Sequence, residues 1–219
     1  MFRPKQKIPP VVVLGLGRFG LALGEELVHS GVEVLGVDAD ESIVSKAAPL
    51  LTHVAVADTT NVDALKQLSV HEAPRVVIGI GSDMGASLLT ASAVVVDLKV
   101  PNVWAKADNL SHAKILSRIG VHHVIRPERD TGRRVAHLIS GRVEEYVEFD
   151  RDFAMVKLAP PMSLIGQPAS HAPAEVRIMA IRSGKGSFRP ASPEDIIQSG
   201  DLIIAAGRVQ DLERFGESD

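Results

Sequence analysis

The residues most able to do chemistry lie in one short stretch, Val11-Val-Val-Leu-Gly-Leu-Gly-Arg-Phe-Gly20. Gly15, Gly17 and Gly20 have the spacing G-x-G-x-x-G, directly after a β-branched apolar run and ahead of a helical pattern over Leu21 to His29. In such a loop the first glycine makes a tight turn, the second admits a phosphate to the backbone, and the third lets helix pack on strand. The helix N-terminus then offers free N–H groups and the positive end of its dipole to an anion. Asp38 closes a second apolar run, 18 residues past Gly20, near the roughly 20-residue spacing at which an acid meets ribose hydroxyls. A solvated loop acid or a cap of the next helix is the other reading of that residue, and Asp40 can fill the capping role instead. An acid at this point repels a 2′-phosphate. Arg18 is the unusual member, because backbone N–H groups already hold a pyrophosphate without a cation. With five donors and a permanent charge, it suits a more heavily phosphorylated ligand or a phosphate reached at the loop's outer side, the other use being a solvent-facing charge that aids solubility. Phe19 belongs to the same loop.

The elements that must position these groups alternate along the chain. Strand-like runs at Val11 to Leu14, Val32 to Asp38, Thr52 to Ala57, Arg75 to Ile80, Asn102 to Lys106 and Val121 to Ile125 are separated by helical patterns, including an apolar one over Ala86 to Leu98. This βα alternation predicts an α/β fold, a doubly wound, Rossmann-like parallel sheet with helices on both faces. Ligands on such sheets bind beyond the carboxyl ends of the strands. Asp58 and Thr59, after the third run, therefore either contact adenine or ribose or cap the next helix. Gly79-Ile80-Gly81 lets backbone approach the same cleft, and Lys106 stands where a cation reaches a phosphate. Glu128, read as lying on a loop, is either solvated or able to hold a divalent cation that bridges to the nucleotide. His122 and His123 are adjacent, so a strand turns them to opposite faces, which suits a structural role.

From about Gly141 to Asp152 the pattern changes. A helix over Thr131 to Ser140 precedes this point, and a small α+β unit follows, with strands at Phe153 to Leu158, Val176 to Arg182 and Leu202 to Ala206 and a helix at Asp211 to Phe215. Val176, Ile178, Ala180 and Arg182 are expected to share one face. The expected organisation is a tail at 1–10, a nucleotide-binding unit at 11–142 and a second unit at 143–219. Composition narrows the function. A net charge of −3 over 219 residues gives no electrostatic case for nucleic acid, and the lack of cysteine excludes thiolate nucleophiles and thiolate metal sites. No run reaches a spanning length, so a soluble protein is expected.

Gly15-Leu-Gly-Arg-Phe-Gly20, Val37-Asp38, Pro101-Asn-Val-Trp-Ala-Lys106, Ile119-Gly120 and Arg126-Pro-Glu128 resemble the RCK (Trk/Ktr) family of potassium-transport regulatory subunits. Pro193-Glu-Asp-Ile-Ile197 and Gly200-Asp201 resemble that family's C-terminal domain. The resemblance implies a cytoplasmic gating subunit, peripheral to the inner face of the cell membrane. It would form homodimers that assemble into a larger, octameric ring beneath a membrane-embedded potassium channel subunit and respond to ATP and ADP. It implies that Asp38 meets the ribose, that Arg18 meets the γ-phosphate, and that Lys106 lies near the site. By the same resemblance Glu128 reaches a neighbouring subunit's nucleotide through Mg²⁺ or another divalent cation. Relatives also bind cyclic di-AMP in the C-terminal domain. The stretch Ser170-His-Ala-Pro-Ala-Glu175 has His171 near the position of an arginine that relatives often carry, so a dimerisation unit without that ligand is expected here.

Two other readings follow from the glycine loop. NAD or NADH as a regulatory ligand would make a redox sensor, and hydride transfer would make a small NAD-dependent oxidoreductase. The second unit is too small for a catalytic substrate domain, and no acid–base residue is placed against a nicotinamide. A non-enzymatic regulator is the expectation.

Overall fold

The computed structural model describes residues 8–139, 143–150 and 152–217. The first seven residues of the expected tail, and Ser140 at the expected helix end, lie outside the described residues. Chain contacts divide the protein into two units between Glu128 and Arg129.

The first unit contains β1 (Val11–Leu14), α1 (Arg18–His29), β2 (Val34–Asp38), α2 (Glu41–Ala47), β3 (His53–Val56), α3 (Val62–Gln67), β4 (Val76–Ile78), α4 (Met84–Ser92), β5 (Val103–Lys106), α5 (Leu110–Ile119) and β6 (His123–Ile125). The six strands are parallel in the order β3-β2-β1-β4-β5-β6. The order reverses between β1 and β4, which is where open α/β sheets bind ligands. β1 is buried along its whole length because the sheet has a core on each side. Val12 and Leu14 enter one core with Ile78, Val103 and Leu116, whereas Val11 and Val13 enter the other with Val34, Val44 and Leu51. That division is the two-residue period of a strand at work.

Four helices start on Asx caps at the carboxyl ends of the strands. Oδ1 of Asp40, Asn61, Asp83 and Asn109 accepts first-turn N–H groups of α2, α3, α4 and α5, which satisfies donors that would otherwise lack partners. The expected continuous helix over Ala86 to Leu98 divides in two. After α4 the chain widens into a π-helical turn, Ala93–Asp97.

α6 (Pro127–Ile139) begins earlier than its amphipathic pattern indicates. Proline suits the first helical position, where its missing N–H costs nothing. Glu128 is therefore in the first turn of a helix and not on a loop.

The second unit is an antiparallel sheet in the order β10-β9-β11-β8-β7. Its strands are β7 (Glu145–Asp150), β8 (Phe153–Leu158), β9 (Val176–Ser183), β10 (Arg189–Pro190) and β11 (Asp201–Arg208). α7 (Val209–Gly216) buries Leu212 and Phe215 in the core formed with Leu158, Ile181 and Ile203. The expected face of β9 changes phase. Ala205 and Ile204 pair with Ile178 and Ala180, so Met179 is the extra residue of a bulge. Beyond it Ile181 is buried, and Ala180 and Arg182 do not continue the buried face.

Candidate functional site

The turn after β1 is built from backbone constraints. Gly15 has φ +91°, and a Cβ there would lie 2.6 Å from Ile80 Cγ1. The Gly15 N–H donates to the Val37 carbonyl at 2.8 Å, and the Gly79 N–H donates to the Leu14 carbonyl at 2.7 Å. Thus β1, β2 and β4 hold the loop from both sides. Gly20 packs so closely on the turn that a Cβ would lie 1.9 Å from the Gly15 carbonyl oxygen. Gly17 differs, because the space beside its Cα is open to beyond 4 Å. It is the N-cap of α1 and provides no side-chain acceptor for the first-turn N–H groups. Those donors and the dipole end are therefore available to an anion. Arg18 is the first residue of α1 and is exposed, and Phe19 is half-buried.

Asp38 joins this loop to the end of β2. The Leu16 N–H donates to its Oδ2 at 2.7 Å, and the Asp40 N–H donates to its Oδ1 at 3.0 Å. The helix-capping role falls to Asp40, whose Oδ1 accepts the Ser42 N–H at 2.8 Å. Asp38 is thus held at the strand end beside the glycine loop, with acceptor capacity left on both oxygens.

Asp58 and Thr59 follow β3 but turn in different directions. Asp58 is exposed, and its Oδ1 accepts the Thr60 hydroxyl at 2.7 Å and the Thr60 N–H at 2.9 Å. These bonds, the hydroxyl's foremost, hold its carboxyl below the usual range. Thr59 is buried, with its hydroxyl 2.9 Å from that of Thr90 in α4. Neither residue caps α3, because Asn61 does so.

The fifth and sixth strand ends supply a charged corner. Lys106 Nζ lies 2.6 Å from Glu128 Oε1 and 3.4 Å from Asp108 Oδ1, and the lysine side chain is largely buried. Gly81 lies against this corner, since a Cβ there would lie 2.7 Å from both Lys106 Nζ and Asp108 Oδ1. The bond to Glu128 is the main reason that the Lys106 ammonium is raised above its ordinary value, against the opposing effect of burial. The Glu128 carboxyl is lowered, first by its bond to Lys106 and to a smaller extent by the charge of Arg18. Glu128 therefore lies in the field of both cations. Among the described residues no three His, Asp or Glu side chains converge as metal ligands. Within one chain Glu128 faces an ammonium, so these residues do not by themselves fit a divalent-cation site.

Asp108, Ser87 and His112 were not evident from spacing alone. His112 is fully buried in the first turn of α5, between the Asp108 N–H and the Ser87 hydroxyl. The signal available was its position four residues before Leu116, on the face that α5 buries. His122 accepts the Val103 N–H at Nδ1, 3.1 Å away, and His123 stacks on Trp104 with ring centroids 4.0 Å apart. Both contacts are structural. In the second unit, the His171 ring lies 3.1 Å from Gln167 Oε1.

The TrkA-N domain family matches residues 11–127, and the TrkA-C domain family matches residues 153–218. The chain is 34% identical to Ktr system potassium uptake protein C of Bacillus subtilis (strain 168) over 208 residues, covering 93% of this chain and 94% of that protein. Its identity to Ktr system potassium uptake protein A of the same strain is 33%, covering 93% of each chain. Among solved structures, the GsuK channel bound to NAD superposes with a TM-score of 0.62 and 13% identity, over 99% of this chain and 40% of that one. The chain thus spans well under half of that channel polypeptide, and the likeness concerns the fold. No helix among the described residues is long and apolar enough to cross a membrane.

Proposed function

Because the chain belongs to the RCK (Trk/Ktr) family of potassium-transport regulatory proteins, with both TrkA-N and TrkA-C domains, we propose that it is the cytosolic gating subunit of a potassium uptake channel. In this reading ATP or ADP occupies the cleft at the carboxyl ends of β1, β2, β4 and β5, and the nucleotide state is passed to a membrane-embedded channel subunit. The observation that carries the reading is the pair of cations at an anion cradle. Arg18 begins α1 beside the open Gly17, and Lys106 ends β5, with Glu128 in the field of both. A dinucleotide pyrophosphate on backbone N–H groups needs neither cation, whereas a chain of three phosphates uses both.

Each residue then has a role. Gly15 and Gly20 fix the loop, and Gly17 and Phe19 border the phosphates. Asp38 accepts from ribose hydroxyls, and the backbone at Gly79, Ile80 and Gly81 closes the near side. Asp58 faces the adenosine end, with Thr59 anchoring its turn from within. Arg18 distinguishes ATP from ADP. A ligand shifts an equilibrium only by its difference in affinity between the two states, and a contact to the γ-phosphate supplies such a difference. Assembly into dimers and a larger ring beneath the channel, at the inner face of the membrane, completes the proposal, and no catalytic step is assigned. Calorimetric titration with ATP, ADP, NADH and cyclic di-AMP, with and without Mg²⁺, tests it. Tight ATP and ADP binding is expected, with no requirement for cyclic di-AMP. Preferential NADH binding would favour a second reading, an NAD(H)-responsive regulator, which the NAD in the GsuK channel supports.

A further inference from the structure

A buried polar thread runs under the candidate site. His112 Nδ1 accepts the Asp108 N–H at a long 3.4 Å, which leaves Nε2 as the protonated nitrogen that donates to Ser87 Oγ at 3.2 Å. The ring and Ser87 are both fully buried. His112 also donates its own N–H to Asn109 Oδ1 at 2.9 Å, so the turn from Asp108 to His112 is closed on both the main chain and the ring. One turn further along α4 from Ser87, Thr90 meets Thr59 at the end of β3. Buried hydroxyls of α4 are thus tied to the turn after β3 directly and to the turn after β5 through His112. Buried polar atoms persist in a core when they are partnered, and this set defines where the Lys106–Asp108 turn sits.

We propose that His112 is a positioning residue for the ligand, holding the β5–α5 turn so that Lys106, braced by Asp108, presents one fixed geometry to the phosphates. This inference rests on the nucleotide reading of the cleft. His112 touches no ligand and acts through the Asp108 main chain. The charged groups facing the ring come from the β5–α5 turn: Asp108 directly, and behind it Lys106 with its partner Glu128. From α4 it meets the neutral Ser87 hydroxyl. Burial holds the imidazole below its ordinary value, against the attraction of Asp108, which matches the neutral tautomer that the bonds require. Protonation would set a second donor against the Asp108 N–H.

Two conservative variants separate the two sides of the ring. His112→Asn places an amide oxygen near the position of Nδ1 and keeps an acceptor for the Asp108 N–H. His112→Gln places its terminal amide near Nε2 and keeps the contact with Ser87. The measurements are ATP titrations of the full chain and both variants between pH 5.5 and 7.5, together with amide exchange over residues 106–112. The expected result is a Kd within about twofold of wild type for His112→Asn and about fivefold to tenfold weaker for His112→Gln, the effect of one lost hydrogen bond. The Asp108 amide should exchange faster in the glutamine variant alone. Binding by the wild type should weaken further at low pH than binding by His112→Asn, a difference from which the titration of ATP itself cancels. Equal affinities and equal exchange in the two variants would overturn the positioning role. If no form bound nucleotide, the nucleotide reading would fail by itself, and unchanged exchange at Asp108 would separately remove His112 from the turn.

Discussion

Alanine at Gly20 and alanine at Gly17 should fail in opposite ways. At Gly20 the added Cβ would sit 1.9 Å from the Gly15 carbonyl oxygen and 3.1 Å from its carbon. The obstacle is backbone, itself fixed by the Gly15 N–H bond to Val37, so α1 must move by about 1 Å to restore contact. Overpacking of this kind costs about 1–3 kcal/mol, and an obstacle that cannot rotate away puts the cost at the upper end. The better helix propensity of alanine offsets at most about 1 kcal/mol. With a Tm change of about 2–4 °C per kcal/mol for a chain of this size, Gly20→Ala should melt roughly 5–10 °C lower. Gly17 has φ −61° and open space around its Cβ position, so Gly17→Ala should leave the Tm nearly unchanged. Its methyl would occupy the approach of a phosphate to the first-turn N–H groups. Losing one charge-assisted bond costs about 1.5–3 kcal/mol, or roughly tenfold to a hundredfold in Kd. Differential scanning calorimetry and nucleotide titration of both variants provide the check. A stable Gly20→Ala protein that binds normally, or a Gly17→Ala protein that loses stability and keeps its affinity, would refute the assignment of the two glycines.

Other outcomes follow from the same geometry. Arg18→Ala should lower ATP affinity far more than ADP affinity, and equal losses in a titration would remove Arg18 as the γ-phosphate sensor. Thr59→Val or Thr90→Val alone strands a buried hydroxyl and should cost about 1–3 kcal/mol, whereas the double variant should lie closer to wild type; strictly additive losses on denaturant unfolding would contradict the pairing. Glu128→Gln removes a carboxyl whose folded pKa lies below the ordinary 4.5. The stability it contributes is present above that value and is lost as the pH falls through the lower folded one. The Tm difference between wild type and variant should therefore shrink from pH 7 to pH 3, and a constant difference would place Glu128 outside the pair with Lys106.

The sheet was legible because its strands are short β-branched runs set off by glycine and Asx residues, and the same punctuation placed the helix starts. β7 escaped notice because Glu145-Tyr-Val-Glu-Phe-Asp150 is an edge strand that buries only Tyr146 along its length, so its pattern lacks a clear apolar face. The bulge at Met179 was hidden for another reason. Register is a property of two strands, and no periodicity within β9 announces it. In the site, the glycine loop and Asp38 were visible as a motif, and Arg18 as a charge out of place in it. The inward turn of Thr59 was not visible, because a threonine after a strand looks the same whether its hydroxyl meets solvent or Thr90. The pairing of Lys106 with Glu128 joins residues 22 apart across β6 and depends on Pro127 starting a helix at that point. His112 was concealed because a single histidine within an amphipathic helix gives no sign of its tautomer.

In the proposed function two cations, Arg18 at the glycine loop and Lys106 at the end of β5, select an adenine nucleotide by its phosphates. The direct test is one calorimetric series on the purified chain, comparing ATP, ADP and NADH under the same conditions. ATP and ADP should bind tightly, ATP the tighter by the contact to Arg18, with NADH much weaker. NADH binding that exceeds both would contradict it, because the pyrophosphate alone would then be sufficient and Arg18 and Lys106 would have no phosphate to meet.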